Sequence, residues 1–501
     1  MRLPLTEEQK VAATAADERV YIEASPGSGK TTVAAERYGV TRYVRVGHGR
    51  GVVALSFARS ARGELERRVR RRWGVDAMRW PHRVWTLDSL HCALVLHLLR
   101  SGAVAWPGGH TELTVVDSWR GTRGSRPIDP GGFAYGLTVN GANVVASRRR
   151  VATGGSYFTN RADYLRQLAD GTCTHEEVRQ VLDSAIAQGS PLREPVREFF
   201  RSTAKAVIVD EIFDGNLVDL RIVAIAAAAG VPTTVIGDPW QALYAFRGAR
   251  PDMVPTLVDQ LGFTTFPISE SFRFVTREMQ DLTAALREGR PVTVPTGGAR
   301  DPHVVLASEW STLWSTSAQV LPFSFGRVGN RVDAAMAVLL DQVVTSYFGE
   351  LSTFGPDAAV ILGLDPATMR AEGASALVTV LDRLSNGTQA QAEAALSLLR
   401  ETLVGLGSRP IPRLQPAKEA IRVDRLQQLA ARLKSTKLVP GLTIHQAKGR
   451  EWEQVGVALT AAEYSRLAAG LSQASATDRA LYVALTRAKR HACSVQFDVP
   501  E

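Results

Sequence analysis

"VYIEASPGSGKTTVAAERY", residues 20 to 38, decides the fold class. Val20 to Ile22 read as an apolar strand, the chain then passes through Gly27, Ser28 and Gly29, and from Lys30 it reads as a helix. Strand, glycine loop and helix in that order make a phosphate cradle. Glycines let consecutive amide N–H groups point at one phosphate, and the positive end of the following helix faces the same spot. The loop comprises Ala24, Ser25, Pro26, Gly27, Ser28, Gly29, Lys30, Thr31 and Thr32, with Ala24 standing where the usual pattern has its first glycine. Lys30 would reach the β- and γ-phosphates, and the Thr31 hydroxyl would ligate Mg²⁺.

A nucleotide site of this kind needs a carboxylate on the metal side, and "VIVDEIFD" (207–214) supplies it. Val207, Ile208 and Val209 form the continuous apolar run of a parallel strand buried on both faces, and the acids follow at its carboxyl end, where open α/β sheets bind ligands. Asp210 would hold Mg²⁺, and Glu211 would orient or deprotonate the attacking water. "GVVALSF" (51–57) and "PTTVIGD" (232–238) are two further strands of the same sheet.

The chain has 501 residues, which exceeds one compact core, so two or more domains are expected. Lys and Arg number 59 against 50 Asp and Glu, a net charge of +9. Such a balance favours a polyanion partner, and arginine written on solvated faces accounts for it equally well. Cys92, Cys173 and Cys493 lie far apart without a C-x-x-C pair, so no disulfide framework or zinc site is suggested. "MRLPLTEEQK" has no signal-peptide core, no apolar run is long enough to span a bilayer, and a cytoplasmic location without membrane contact is expected.

Ordered segments along the chain resemble the motifs of superfamily 1A DNA helicases of the UvrD/Rep/PcrA family. "LTEEQ" (5–9) is similar to the adenine-reading motif, "ALSFARSARGEL" (54–65) to motif Ia and "WTLDSLH" (85–91) to motif Ib. "VIGDPWQALYAFRGA" (235–249) resembles motif III, "SESFRF" (269–274) motif IV, "LTIHQAKGREWEQV" (442–455) motif V and "RALYVALTRAKR" (479–490) motif VI. The resemblance implies ATP and Mg²⁺ as cofactors. It places Gln9 and Phe272 against adenine, Glu451 on a ribose hydroxyl, and Gln241 between the γ-phosphate and the nucleic acid. Arg273 and Arg487 become arginine fingers delivered from the C-terminal half, so that hydrolysis is tied to closure of two lobes. Phe57, Arg59, Tyr244, Phe246 and His445 become single-strand contacts, aromatic faces being indifferent to base sequence. Phe213 stands where the family has a glutamine, so the hydrogen-bonding group that joins the two sites is missing.

The expected fold is α/β, with two RecA-like P-loop motor domains built on parallel sheets. Motor domain 1A covers 1–91 and 205–268, and insertion 1B covers 92–204. That insertion has a hairpin about Asn140-Gly141 in "YGLTVNGANVVASRRR", helix-patterned stretches such as "THEEVRQVLDSAIAQ", and an Arg148–Arg150 run that phosphate or solvent could meet. Motor domain 2A covers 269–385 and 437–501, with strands at "HVVLA" (303–307), "AAVILGL" (358–364) and "ACSVQF" (492–497). A reduced, helical, Pro-interrupted 2B occupies 386–436. The function so implied is an ATP-dependent translocase or helicase on single-stranded DNA or a tailed duplex, with 3′-to-5′ polarity. It would work in repair, or beside a partner nuclease in anti-phage defence. The alternative is a nucleotide-gated DNA- or protein-binding ATPase that clamps without processive unwinding.

Overall fold

The computed structural model describes residues 5–43, 49–117, 119, 128–129, 133–150, 161–297, 302–385 and 387–495. The chain divides into two compact units, Met1–Arg273 and Phe274–Glu501. The division falls at Arg273/Phe274, not at 268/269 as the motif reading has it, because "ESFR" follows the last strand of the first sheet and stays with it.

The first unit contains β1 (Arg19–Ala24), β2 (Gly51–Ser56), β3 (Arg83–Thr86), β4 (Phe133–Asn140), β5 (Asn143–Arg150), β6 (Ala204–Val209), β7 (Thr233–Gly237) and β8 (Thr264–Ile268). Six of them form one parallel sheet in the order β8-β1-β7-β6-β2-β3. Its inner strands β2, β6 and β7 are buried almost throughout, the signature of a sheet covered on both faces. The covering helices include α1 (Glu7–Thr14), α2 (Lys30–Tyr43), α3 (Arg59–Trp73), α4 (Leu87–Arg100), α5 (His175–Ala185) and α6 (Leu217–Ala228).

The hairpin β4–β5 pairs antiparallel, with Asn140 opposite Asn143. Its two-residue loop is therefore Gly141-Ala142, one residue later than expected, and Gly141 takes φ +60° there. Among the described residues, the region expected to be insertion 1B shares the core of the first sheet. Leu137, Val144, Tyr164, Val178 and Phe200 belong to the same apolar cluster as Val207, Val209 and Leu55 of the sheet.

The second unit has a five-stranded parallel sheet of β9 (Val304–Ala307), β10 (Val320–Pro322), β11 (Val439–Thr443), β12 (Trp452–Val457) and β13 (Ala488–Ser494), in the order β10-β11-β9-β12-β13. β13 begins before the expected "ACSVQF". "AAVILGL" is not a strand: Gly355–Leu362 is helical, and β10 takes the place in the sheet. Pro356 in the first turn, Asp357 beside it and Gly363 at φ +73° after the last turn are helix start and stop signals that outweigh the β-branched run. Helices thus already occupy the interval ahead of 386. Beyond it lie Gln389–Gly405 and Pro416–Leu433, matching the helical, Pro-interrupted reading. Among the described residues no helix is long and apolar enough to cross a membrane.

Candidate nucleotide site and strand-facing edge

The phosphate loop leaves β1 at the carboxyl edge of the first sheet. Gly27 and Gly29 adopt φ +76° and +82°, backbone that a side chain would strain. Space confirms the need: a Cβ on Gly27 would stand 2.5 Å from that of Arg273, and one on Gly29 would stand 2.9 Å from Gln9 Nε2.

The loop is braced from both sides within this unit. Gln9, buried on α1, donates from Nε2 to the Ser28 carbonyl at 2.8 Å, and its Oε1 accepts the Thr6 N–H at 3.1 Å. Both ends of its amide hold protein groups, which makes Gln9 a brace for the loop in addition to the base contact expected of it. Ser271 Oγ donates to the Pro26 carbonyl at 2.7 Å, and the Phe272 N–H donates to the Gly27 carbonyl at 3.0 Å. Ser25 is tied to β8 through its N–H and the Ile268 carbonyl, and Thr32 accepts from Arg68. Phe272 itself is 41% exposed. Arg273, expected from the second lobe, therefore belongs to the same unit as Lys30.

Strand β6 delivers the acids. Thr31 Oγ1 donates to Asp210 Oδ2 at 3.3 Å, and Lys30 Nζ stands 3.9 Å from Glu211 Oε1. Asp210 is 3% exposed, and burial, with the Glu211 charge second and Lys30 opposing, pushes its carboxyl up to about 7. Among the described residues its Oδ1, buried, has no hydrogen-bond partner. A buried carboxylate oxygen beside a threonine hydroxyl, next to a lysine and a phosphate cradle, is a set of oxygen donors that would fit Mg²⁺. Glu211 has φ 60°, and among the described residues it is the only non-glycine at positive φ.

Phe213 turns into the core. Its ring meets Tyr21 edge-on at 6.4 Å, and Gly237 at the end of β7 makes room for it, since a Cβ there would lie 2.7 Å from Cδ2. Gln241, beyond β7, is buried and donates to Asp238 Oδ2 at 2.7 Å. Asp238 also accepts the Trp240 N–H. The motif reading passed over this residue, although an Asp two positions before the capped amide is a recognisable Asx turn.

The turn that follows carries the aromatic edge. Phe246 is 64% exposed, Tyr244 half-buried, and the Arg247 guanidinium lies 5.4 and 5.5 Å from their ring centroids. Arg247 was not among the expected contacts, and its place directly after Tyr244 and Phe246 was the signal. The chain then returns to Gly215 and Asn216, where the Arg250 N–H donates to the Gly215 carbonyl. Phe57 meets Gly215 from the other side, half-buried against the core and less open than a stacking platform. Arg59 is exposed and paired with Asp117 at 2.8 Å.

In the second unit, Glu451 pairs with Lys489 at 3.1 Å, and His445 sits half-buried on a short helix after β11. Arg487 is 1% exposed, and its Nε donates to the Val483 carbonyl.

Residues 5–102 and 168–260 match the UvrD/REP helicase N-terminal domain. The first unit thus carries a UvrD-like superfamily 1 helicase domain. The match covers 92–102 and 168–204 as well, stretches assigned above to insertion 1B, and it leaves out 103–167 and the second unit. No curated protein matches the chain. UvrD-like helicases use ATP with Mg²⁺ and act on DNA, in keeping with the donor set around Lys30.

Proposed function

We propose that this UvrD-like chain is an ATP-driven translocase on single-stranded DNA, moving 3′ to 5′. The observation that carries it is the meeting of Lys30, Thr31, Asp210 and Glu211 at one sheet edge whose next turn exposes Phe246 under Arg247. Lys30 and the loop amides bind the triphosphate, and Thr31 and Asp210 are the residues that would hold Mg²⁺. When bound, that ion screens the charge of the phosphates. Glu211, held in place by its backbone, orients the attacking water and accepts its proton. Gln241, fixed by Asp238, lies on the segment joining β7 to the aromatic turn, so a shift at the γ-phosphate reaches Tyr244 and Phe246 through a few residues. Arg487 adds positive charge from the second unit, and Glu451 and His445 keep their ribose and strand roles. Repair, or work beside a nuclease against phage, is the setting this activity suits.

The test is steady-state ATPase with and without a single-stranded oligonucleotide, followed by strand displacement on a 3′-tailed duplex. Oligonucleotide should stimulate turnover, and a Phe246→Ala/Arg247→Ala pair should lose the stimulation while keeping the basal rate. Absence of stimulation in the unaltered chain would overturn the reading. The burial of Phe213 favours a second reading, a nucleotide-gated clamp. Nucleotide-dependent DNA binding without displacement would select it.

A further inference from the structure

The end of α2, the end of α3 and the loop before β3 gather an exposed aromatic and cationic patch with no part in the nucleotide site. Tyr43, exposed, stacks on Trp73 with centroids 5.7 Å apart, and Trp80 is 82% exposed. Exposing an indole costs burial energy that a soluble surface normally avoids. Cations frame the rings: the Arg42 guanidinium is 5.1 Å from the Tyr43 centroid and that of Arg72 is 5.2 Å from Trp73. Arg42 also donates to the Asp76 and Arg79 carbonyls, which ties it to the Trp80 loop and leaves its charge in place.

A neighbouring titration reports the same field. His82 is pushed down to about 4, by burial first and then by Arg42, Lys205 and Arg83. The position is also distinct. His82 Nδ1 accepts the Val52 N–H at the start of β2, so the patch sits at the amino edge of a sheet whose carboxyl edge holds the nucleotide loop. The 14 residues of α2 run from Lys30 to Tyr43 and set the two about 20 Å apart.

We infer that this patch is a second binding surface for single-stranded nucleic acid, with bases on Trp80 and Tyr43 and phosphates on Arg42 and Arg79. Flat rings interleaved with guanidinium groups match an alternating base and phosphate chain, and the net charge of +9 draws such a chain in. The inference stands apart from the translocase reading, because none of these residues belongs to the strand-facing edge around Phe246.

The test uses the full chain carrying Phe246→Ala and Arg247→Ala, which removes that edge. A fluorescent oligo-dT should still bind in a salt-dependent manner and quench tryptophan emission. Adding Trp80→Ala and Arg79→Ala, both exposed positions, should weaken binding about tenfold and flatten the salt dependence, with nucleotide affinity unchanged. Loss of all oligonucleotide binding before Trp80 is touched would overturn the inference, as would an affinity within twofold after the added substitutions. Equal binding of a poly-glutamate peptide, insensitive to Trp80→Ala, would also overturn it and assign the patch to an acidic protein segment. Failure of ATPase stimulation with the Trp80-dependent binding intact would sink the translocase reading alone.

Discussion

Glu211 holds φ 60° and ψ 43°, a left-handed conformation that disfavours any residue with a Cβ by about 1–2 kcal/mol. Its cause is local: β6 ends at Val209, and the chain must turn at once so that Phe213 enters the core while both acids stay at the strand tip. Two variants separate the carboxylate from the backbone. Glu211→Ala and Glu211→Gly should both lose at least about 100-fold in turnover while still binding nucleotide. The glycine form should be more stable by about 1 kcal/mol, because only it is at ease in that backbone. Steady-state ATPase and urea melts read the two effects, and equal stability would show that the turn is not strained. Phe213 gives a second pair. Phe213→Gln places an amide in the apolar cluster with Tyr21 and should cost about 3 kcal/mol in a urea melt. Gly237→Ala should be destabilising by about 1–3 kcal/mol, and Phe213→Leu should relieve part of that, a coupling that a double-mutant cycle measures. The sequence reading asked only what hydrogen bond Phe213 lacks. Its packing with Gly237 is a contact between distant positions, which no local pattern encodes.

At the scale of elements, legibility followed periodicity and failed where signals conflicted. The strands at 204–209 and 233–237 were readable because strands buried on both faces need unbroken apolar runs, and those runs are short and bounded. "AAVILGL" offered the same run, and only Pro356 and Gly363 marked it as a helix. β10 hid in the three residues Val320–Pro322, too short for a periodic signal. At the candidate site the loop and both acids were legible from spacing alone. Asp238 and Arg247 carried local signals, an Asx turn and neighbouring aromatics, that motif matching does not use, whereas Ser271 was not legible because folding brings its partner Pro26 to it. One joint between elements carries a pH dependence. Burial, and then the charges of Arg42, Lys205 and Arg83, push His82 down from 6.5 to about 4, and its Nδ1 accepts the Val52 N–H, which only the neutral ring can do. A depressed histidine contributes stability in full above its unfolded value, and that contribution is lost as pH falls from about 6.5 toward 4. The urea midpoint should therefore decline over that window more steeply in the unaltered chain than in His82→Gln, whose side chain keeps an acceptor without a proton to gain. Parallel curves for the two proteins would remove His82 from the account.

For the molecule as a whole, the division at Arg273/Phe274 changes which arginine can report on the second unit. Arg273 follows Ser271 and Phe272, which hydrogen-bond the phosphate-loop carbonyls, so its charge is part of the same unit as Lys30 whatever the other unit does. Arg487 lies between helix Ala476–Leu485 and β13, with Trp452 of β12 donating to its carbonyl, and is fixed in the second unit. If turnover is tied to movement of the units, the two guanidinium groups must fail differently. Arg273→Ala should weaken nucleotide binding and leave the dependence of turnover on oligonucleotide intact, because it acts within one unit. Arg487→Lys should keep nucleotide affinity within a few-fold while lowering kcat by about 10³, the scale on which a charge supplied to the leaving phosphoryl group acts. The lysine form retains a cation for the buried position, so a melt close to that of the unaltered chain shows that folding is not the cause of the loss. Nucleotide affinity by titration, and kcat with and without oligonucleotide, separate the two. Identical losses from both substitutions would mean that neither unit reports on the other through arginine, and the coupling would then have to run through Gln241 and the aromatic turn of the first unit.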